Sequence, residues 1–137
     1  SLKLLLLVSL ITAGTAGCSN YGREYKLDKK HNVYYKGDGV DEAHAKKLAE
    51  YLKQQEYFQD SIESTVQLIK IKDTFNVNFV VDASKINSGL ENVFLIIGAA
   101  ISEKVFDNAP VTVQLMNKYM EPFKNLGYAR PVSEFDK

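Results

Sequence analysis

Residues 64–82 read STVQLIKIKDTFNVNFVVD, and they decide the fold class. In the second half, Phe75, Val77, Phe79 and Val81 alternate with Asn76, Asn78, Val80 and Asp82, so one set is expected on a buried sheet face and the other on a wet one. The first half is also β-rich. There Val66 and Leu68 lie in one phase while Ile69 and Ile71 lie in the other, so either a bulge shifts the phase near Leu68 or the far face is partly apolar. Residues 64–72 and 75–82 are therefore expected as a hairpin turning near Asp73-Thr74. Lys70 and Lys72 carry charge of the kind that blunts a sheet edge.

Upstream, residues 32–36 (NVYYK) form a short aromatic run ending at Gly37-Asp38-Gly39, which predicts a strand entering a tight turn. Asp41 is placed to cap a helix whose apolar face is Ala45, Leu48, Ala49 and Leu52, at the i, i+3, i+4, i+7 spacing. Downstream, Leu90, Phe94, Ile97, Ile101 and Val105 recur at helical spacing, which predicts a mostly buried helix over residues 87–107. Gly98 inside it lowers helix propensity and suggests a close backbone approach. Residues 110–116 alternate Val111, Val113 and Leu115 with Thr112, Gln114 and Met116, a further one-sided strand, and a short helix is expected after Asn117. The order is thus β, α, β, β, α, β. An α+β two-layer sandwich accommodates it, with ferredoxin-like topology, an antiparallel sheet, two helices on one face and right-handed crossovers.

The chain has 137 residues with 17 basic and 17 acidic side chains, so its formal net charge is zero and no basic footprint for nucleic acid is present. Apolar residues make up 45% and charged residues 25%, which fits one ordinary globular domain and not a disordered chain. A single cysteine, Cys18, excludes an internal disulfide.

That cysteine follows an apolar run, Leu4 to Ile11, which is preceded by Lys3 and followed by the small residues 12–17. This is the layout of a signal peptide, and eight residues span only about 12 Å as a helix, too short for a bilayer. Thr15-Ala16-Gly17-Cys18 resembles the lipobox of bacterial lipoproteins, with threonine where leucine is usual. The resemblance implies a diacylglyceryl group on the Cys18 sulfur and a further acyl chain such as palmitate after cleavage, together a durable membrane anchor. The organisation expected is a removed signal peptide over 1–17, the lipidated Cys18 and a polar tether over 18–31, and one domain over 32–137.

Residues 33–42 (VYYKGDGVDE), with Ala45-Lys46-Lys47-Leu48, Tyr51-Leu52 and Tyr57-Phe58, resemble a domain of uncharacterised bacterial envelope proteins. Thr65-Val66-Gln67-Leu68, Asn78-Phe79-Val80-Val81 and Pro110-Val111-Thr112-Val113 are similar to its later strands, over about residues 32–116. The resemblance implies an envelope domain and brings no activity with it.

Catalytic equipment is not evident. His31, in the expected tether, and His44, on a flank of the first helix, are the only histidines, and with Cys18 committed elsewhere they assemble no zinc set. Asp38, Asp41 and Glu42 lack the spacing of a calcium loop, and capping accounts for Asp41. Gly37-Asp38-Gly39 lacks the glycine spacing and the Lys-Ser/Thr of a phosphate loop. Ser61, Ser64 and Ser84 sit in no nucleophile elbow, and Glu56 with Asp60 reads as a solvated pair. The expectation is therefore no enzyme, no metal and no cofactor. Tyrosines and the outer sheet face offer contact surface instead, with Tyr34, Tyr35, Tyr57, Ile69 and Ile71 as candidate partner residues and Val80 and Met116 beside them. The leading functional expectation is a lipid-anchored binding or scaffolding module of the bacterial cell envelope, held at the membrane and contacting an envelope protein or a second copy of itself. A small inhibitor or immunity-type lipoprotein that blocks an enzyme through an exposed loop or strand edge, which an extended conformation at residues 37–40 would favour, is the alternative, and a cryptic envelope enzyme the third.

Overall fold

The computed structural model describes residues 20–58 and 64–131. The expected signal peptide, the modified Cys18, Asp60 and Ser61 lie outside them. Among the described residues, six strands and two α-helices follow one another: β1 (Arg23–Lys26), β2 (His31–Lys36), α1 (Glu42–Gln54), β3 (Ser64–Ile71), β4 (Thr74–Val80), α2 (Ser88–Val105), β5 (Val111–Met116) and β6 (Pro122–Tyr128). A 3-10 turn at Ala83–Lys85 precedes α2.

All six strands form one mixed sheet in chain order, β1-β2-β3-β4-β5-β6. The β2/β3 and β4/β5 pairs are parallel, and the other three are antiparallel. This corrects the ferredoxin-like, antiparallel expectation, and the physical reason lies in the crossovers. Chain-order strands make β2→β3 and β4→β5 advance across the sheet in the same direction, along strands that run oppositely. Both crossover helices pack on the same apolar face, so the two connections must have opposite hands. The rule that about 98% of such crossovers are right-handed favours an arrangement with crossed-over central strands, and this chain departs from it once.

The sheet gained two strands at its edges. Arg23–Lys26, within the expected tether, pairs with β2, and residues 122–128 add a strand where a short helix was expected. Pro122 and Gly127 resist helix there, while the strand tolerates both at an edge with two register shifts.

Val33, Tyr35, Val66, Leu68, Phe75, Val77, Phe79, Val111, Val113 and Leu115 share the helix-facing side and join one buried core. Ala45, Leu48, Ala49 and Leu52 of α1 are buried against it. Asp41 caps α1 by accepting the His44 amide at 3.1 Å, and His44 Nδ1 lies 3.2 Å from the Asp41 amide, a reciprocal cap. Asn87 caps α2 through Leu90 N–H at 2.8 Å. Phe94 meets Phe79 at 5.0 Å between ring centroids, and Phe106, just beyond α2, stacks on Phe75 at 3.9 Å. Gly98 allows α2 to approach β5 closely, since a Cβ there would stand 2.6 Å from Val113 Cγ2.

The β3/β4 register runs without a shift from Val66↔Phe79 to Ile71↔Thr74. The two phases in β3 therefore reflect a partly apolar second face, where Ile69 and Ile71 lie, and not a bulge.

Candidate binding face of the sheet

The strand registers draw a line of carboxamides across the second face. Tyr34 pairs with Gln67, Gln67 with Asn78, Asn78 with Gln114, and Gln114 with Asn125. Neighbouring strands are about 4.8 Å apart, so four carboxamides from β3 to β6 stand side by side. Asn78 Nδ2 donates to Gln67 Oε1 at 2.9 Å, and Gln67 Nε2 donates to the Tyr21 carbonyl at 3.0 Å. Among the described residues, Asn78 Oδ1 is buried without a hydrogen-bond partner. Polar pairs continue on either side of this line. Asn76 Nδ2 donates to Thr112 Oγ1 at 2.9 Å, and Thr65 Oγ1 donates to Asn32 Oδ1 at 2.7 Å.

Gln67 and Asn78 are 5% and 1% exposed although no described helix covers this face. Tyr21 lies over them. Its carbonyl takes the Gln67 amide, its ring meets Tyr34 edge-on at 5.8 Å, and its hydroxyl donates to the Tyr119 carbonyl at 3.2 Å, beyond β5. The residue thus bridges from β2 and β3 to the β5–β6 turn. Burial, followed by the neighbouring Glu24 carboxylate, pushes the Tyr34 phenol above its ordinary pKa.

Toward β5 and β6 the same face opens into a groove of about 390 Å³ lined by Ile71, Thr74, Asn76, Thr112, Gln114, Asn125, Gly127 and Tyr128. Every lining residue is uncharged. Tyr128 and Ile71 are 65% and 61% exposed and stand on its β6 and β3 sides.

The expected partner residues divide between the two faces. Tyr34, Ile69 and Ile71 belong to the second face, as do Val80 and Met116, the latter fully buried. Tyr35 points into the core, and Tyr57 packs on Phe58, Phe79 and Phe94, where burial raises its phenol pKa. Period two separates Tyr34 from Tyr35 once β2 is taken as a strand. The line Gln67, Asn78, Gln114, Asn125 was missed because it exists only after three registers are fixed. The signal in the sequence was the set of amides at the wet positions of consecutive strands.

Other chemistry-bearing groups serve local structure. His31, expected in a tether, is 2% exposed at the start of β2, with Nδ1 2.8 Å from Asp28 Oδ2 and its ring stacked on Phe58 at 5.0 Å. The His31 side chain, then the Lys30 amide, hold the Asp28 carboxyl below its ordinary pKa. His44 lies beside Phe75 and Phe106, and its Nδ1 stands 2.8 Å from Asp41 Oδ1 within the cap of α1. Ser84 Oγ donates to Asp82 at 2.7 Å, within the cap of the 3-10 turn. Residues 37–40 close as a turn, with Val40 N–H 3.5 Å from the Gly37 carbonyl, and do not extend. Among the described residues, no three His, Cys, Asp or Glu side chains converge on a metal position, and no helix is long and apolar enough to cross a membrane.

Neither a curated protein nor a solved structure matches this chain. One family model does, AF_1994_N, described as a family N-terminal domain, over residues 25–126. That span runs from within β1 to within β6 and so contains β2 to β5 and both helices, with part of each edge strand. The chain belongs to this uncharacterised domain family, the AF_1994_N family N-terminal domain.

Proposed function

We propose that the chain is a lipid-tethered module of the bacterial cell envelope that binds a partner through the second face of its sheet. The observation that carries this reading is the carboxamide line from Gln67 to Asn125, set on a face that neither α1 nor α2 covers. An uncommitted sheet face ordinarily carries charged, solvated side chains. This one instead holds neutral donors and acceptors in register; Gln67 and Asn78 are closed off beneath Tyr21, while Gln114 and Asn125 stay accessible to a partner.

The tether is supported by the apolar run ahead of the lipobox-like Thr15-Ala16-Gly17-Cys18. Cys18 precedes Tyr21 by three residues, and three residues reach at most about 11 Å. Acyl chains on Cys18 would therefore hold the Tyr21 end of this face beside the membrane, with the open groove further along the sheet. Both edge strands argue against pairing with a partner strand, because β1 carries Arg23, Glu24 and Lys26, and β6 begins at Pro122 and is bulged.

Fractionation of cells producing the full chain tests the two halves of the proposal together. The chain is expected in the membrane fraction, and Cys18→Ala is expected in the soluble fraction. Retention of envelope components by the immobilised chain is expected to fall with Thr112→Arg and to survive Lys47→Glu on α1. Equal loss from both charge substitutions would contradict the choice of face, and membrane association of Cys18→Ala would contradict the anchor.

A further inference from the structure

We infer that the groove between Ile71 and Tyr128 binds a neutral oligosaccharide; this rests on the proposed role of the second face and gives that face a ligand class. The lining provides the argument. A groove built for phosphate, carboxylate or nucleic acid presents cations, and one built for an apolar helix presents a continuous apolar floor. This groove presents neither, in a chain where a quarter of all residues are charged. Its floor is amide and hydroxyl, and its sides are one exposed aromatic ring and one exposed aliphatic side chain.

The hydrogen bonds already made determine what is left to offer. Asn76 Nδ2 is turned to Thr112, donating to its Oγ1 at 2.9 Å and its carbonyl at 3.5 Å, which leaves Asn76 Oδ1 as an acceptor and the Thr112 hydroxyl proton as a donor. Asn125 Oδ1 accepts the Gly127 amide at 2.9 Å, which leaves Asn125 Nδ2 to donate. Gln114 adds a carboxamide that does both. The floor thus offers both donors and acceptors without net charge, which matches sugar hydroxyls, each of which is donor and acceptor at once. The Tyr128 ring supplies a flat apolar surface for the C–H face of a pyranose. From β3 to β6 the groove covers three strand spacings, about 14 Å, which suits a short run of linked rings and not a single one.

Titration of the full, ¹⁵N-labelled chain with N-acetylchitotetraose, cellotetraose and maltotetraose tests this, with tetragalacturonate as the charged control. At least one neutral tetrasaccharide is expected to shift the Gln114 and Asn125 side-chain amide signals saturably, with dissociation constants in the millimolar range or tighter, up to about 10 mM. Tyr128→Ala, at an exposed position, is expected to weaken that binding tenfold or more, and Gln114→Glu to weaken it as well. Tetragalacturonate is expected to bind more weakly than its neutral counterparts. Absence of saturable shifts with all three neutral sugars, or binding unaffected by both substitutions, overturns the inference. Retention of envelope components that is sensitive to Thr112→Arg, combined with no sugar binding, would overturn the sugar and leave the proposed function standing.

Discussion

Asn78 donates to Gln67 across the β3/β4 pair at 2.9 Å, yet its own Oδ1 stays buried and unpartnered among the described residues. A buried carboxamide pair of this kind is costly if one member is removed and nearly dispensable if both are. Gln67→Leu strands the Asn78 amide and is expected to destabilise the chain by about 1–3 kcal/mol in urea unfolding. Gln67→Leu combined with Asn78→Val is expected to recover most of that loss. Additive losses in the double variant would show that Gln67 and Asn78 contribute independently, and would contradict the coupling.

Gly98 sits where α2 comes closest to β5. A side chain there would press on Val113 Cγ2 and lie 3.0 Å from Ala129 Cβ, both on the sheet side of the helix. Gly98→Val is expected to cost about 1–3 kcal/mol through overpacking. In Gly98→Ala, the helix-propensity gain of about 1 kcal/mol offsets part of the clash. Chemical denaturation of both variants checks the order. A stabilised Gly98→Val would show that α2 is free to move away from the sheet.

Three carboxylates, Asp28, Asp41 and Asp82, have pKa values held below the ordinary 3.8 by hydrogen bonds, chiefly from the His31 side chain, the His44 amide and the Ser84 side chain respectively. A depressed folded-state pKa contributes stability that is present above the unfolded value and lost as pH falls through the folded one. The thermal midpoint is therefore expected to be level on the acid side of neutrality and to fall below about pH 4. Asp28→Asn and Asp41→Asn should each make that acid limb shallower. A midpoint that rises on acidification would contradict the assignment.

Local features were legible in the sequence and long-range ones were not. The α1 face Ala45, Leu48, Ala49 and Leu52, the Asp41 cap, and the buried set Phe75, Val77 and Phe79 follow from spacing within a few residues, and the structure buries all of them apart from the exposed cap. β1 was not legible because the segment REYK is mostly exposed at an edge and shows no alternation. β6 was not legible because Pro122, Lys124 and Gly127 describe a bulged edge strand poorly. Topology failed for a different reason. Strand direction and crossover hand depend on which strands meet, and the usual right-handed preference points away from the chain-order sheet that formed. The site suffered from the same gap, since Gln67, Asn78, Gln114 and Asn125 come together only through the β3–β6 registers. Tyr35 and Tyr57 were drawn into the candidate surface by residue type, whereas their positions belong to the core face.

Photo-crosslinking in intact cells tests the choice of face most directly. A benzophenone side chain is placed in the full chain either at Gln114, on the second face, or at Lys47, on the exposed side of α1. The account predicts a discrete crosslinked envelope product from position 114 that disappears with Thr112→Arg, and none from position 47. Crosslinks of equal yield from both positions, or from position 47 alone, would contradict it.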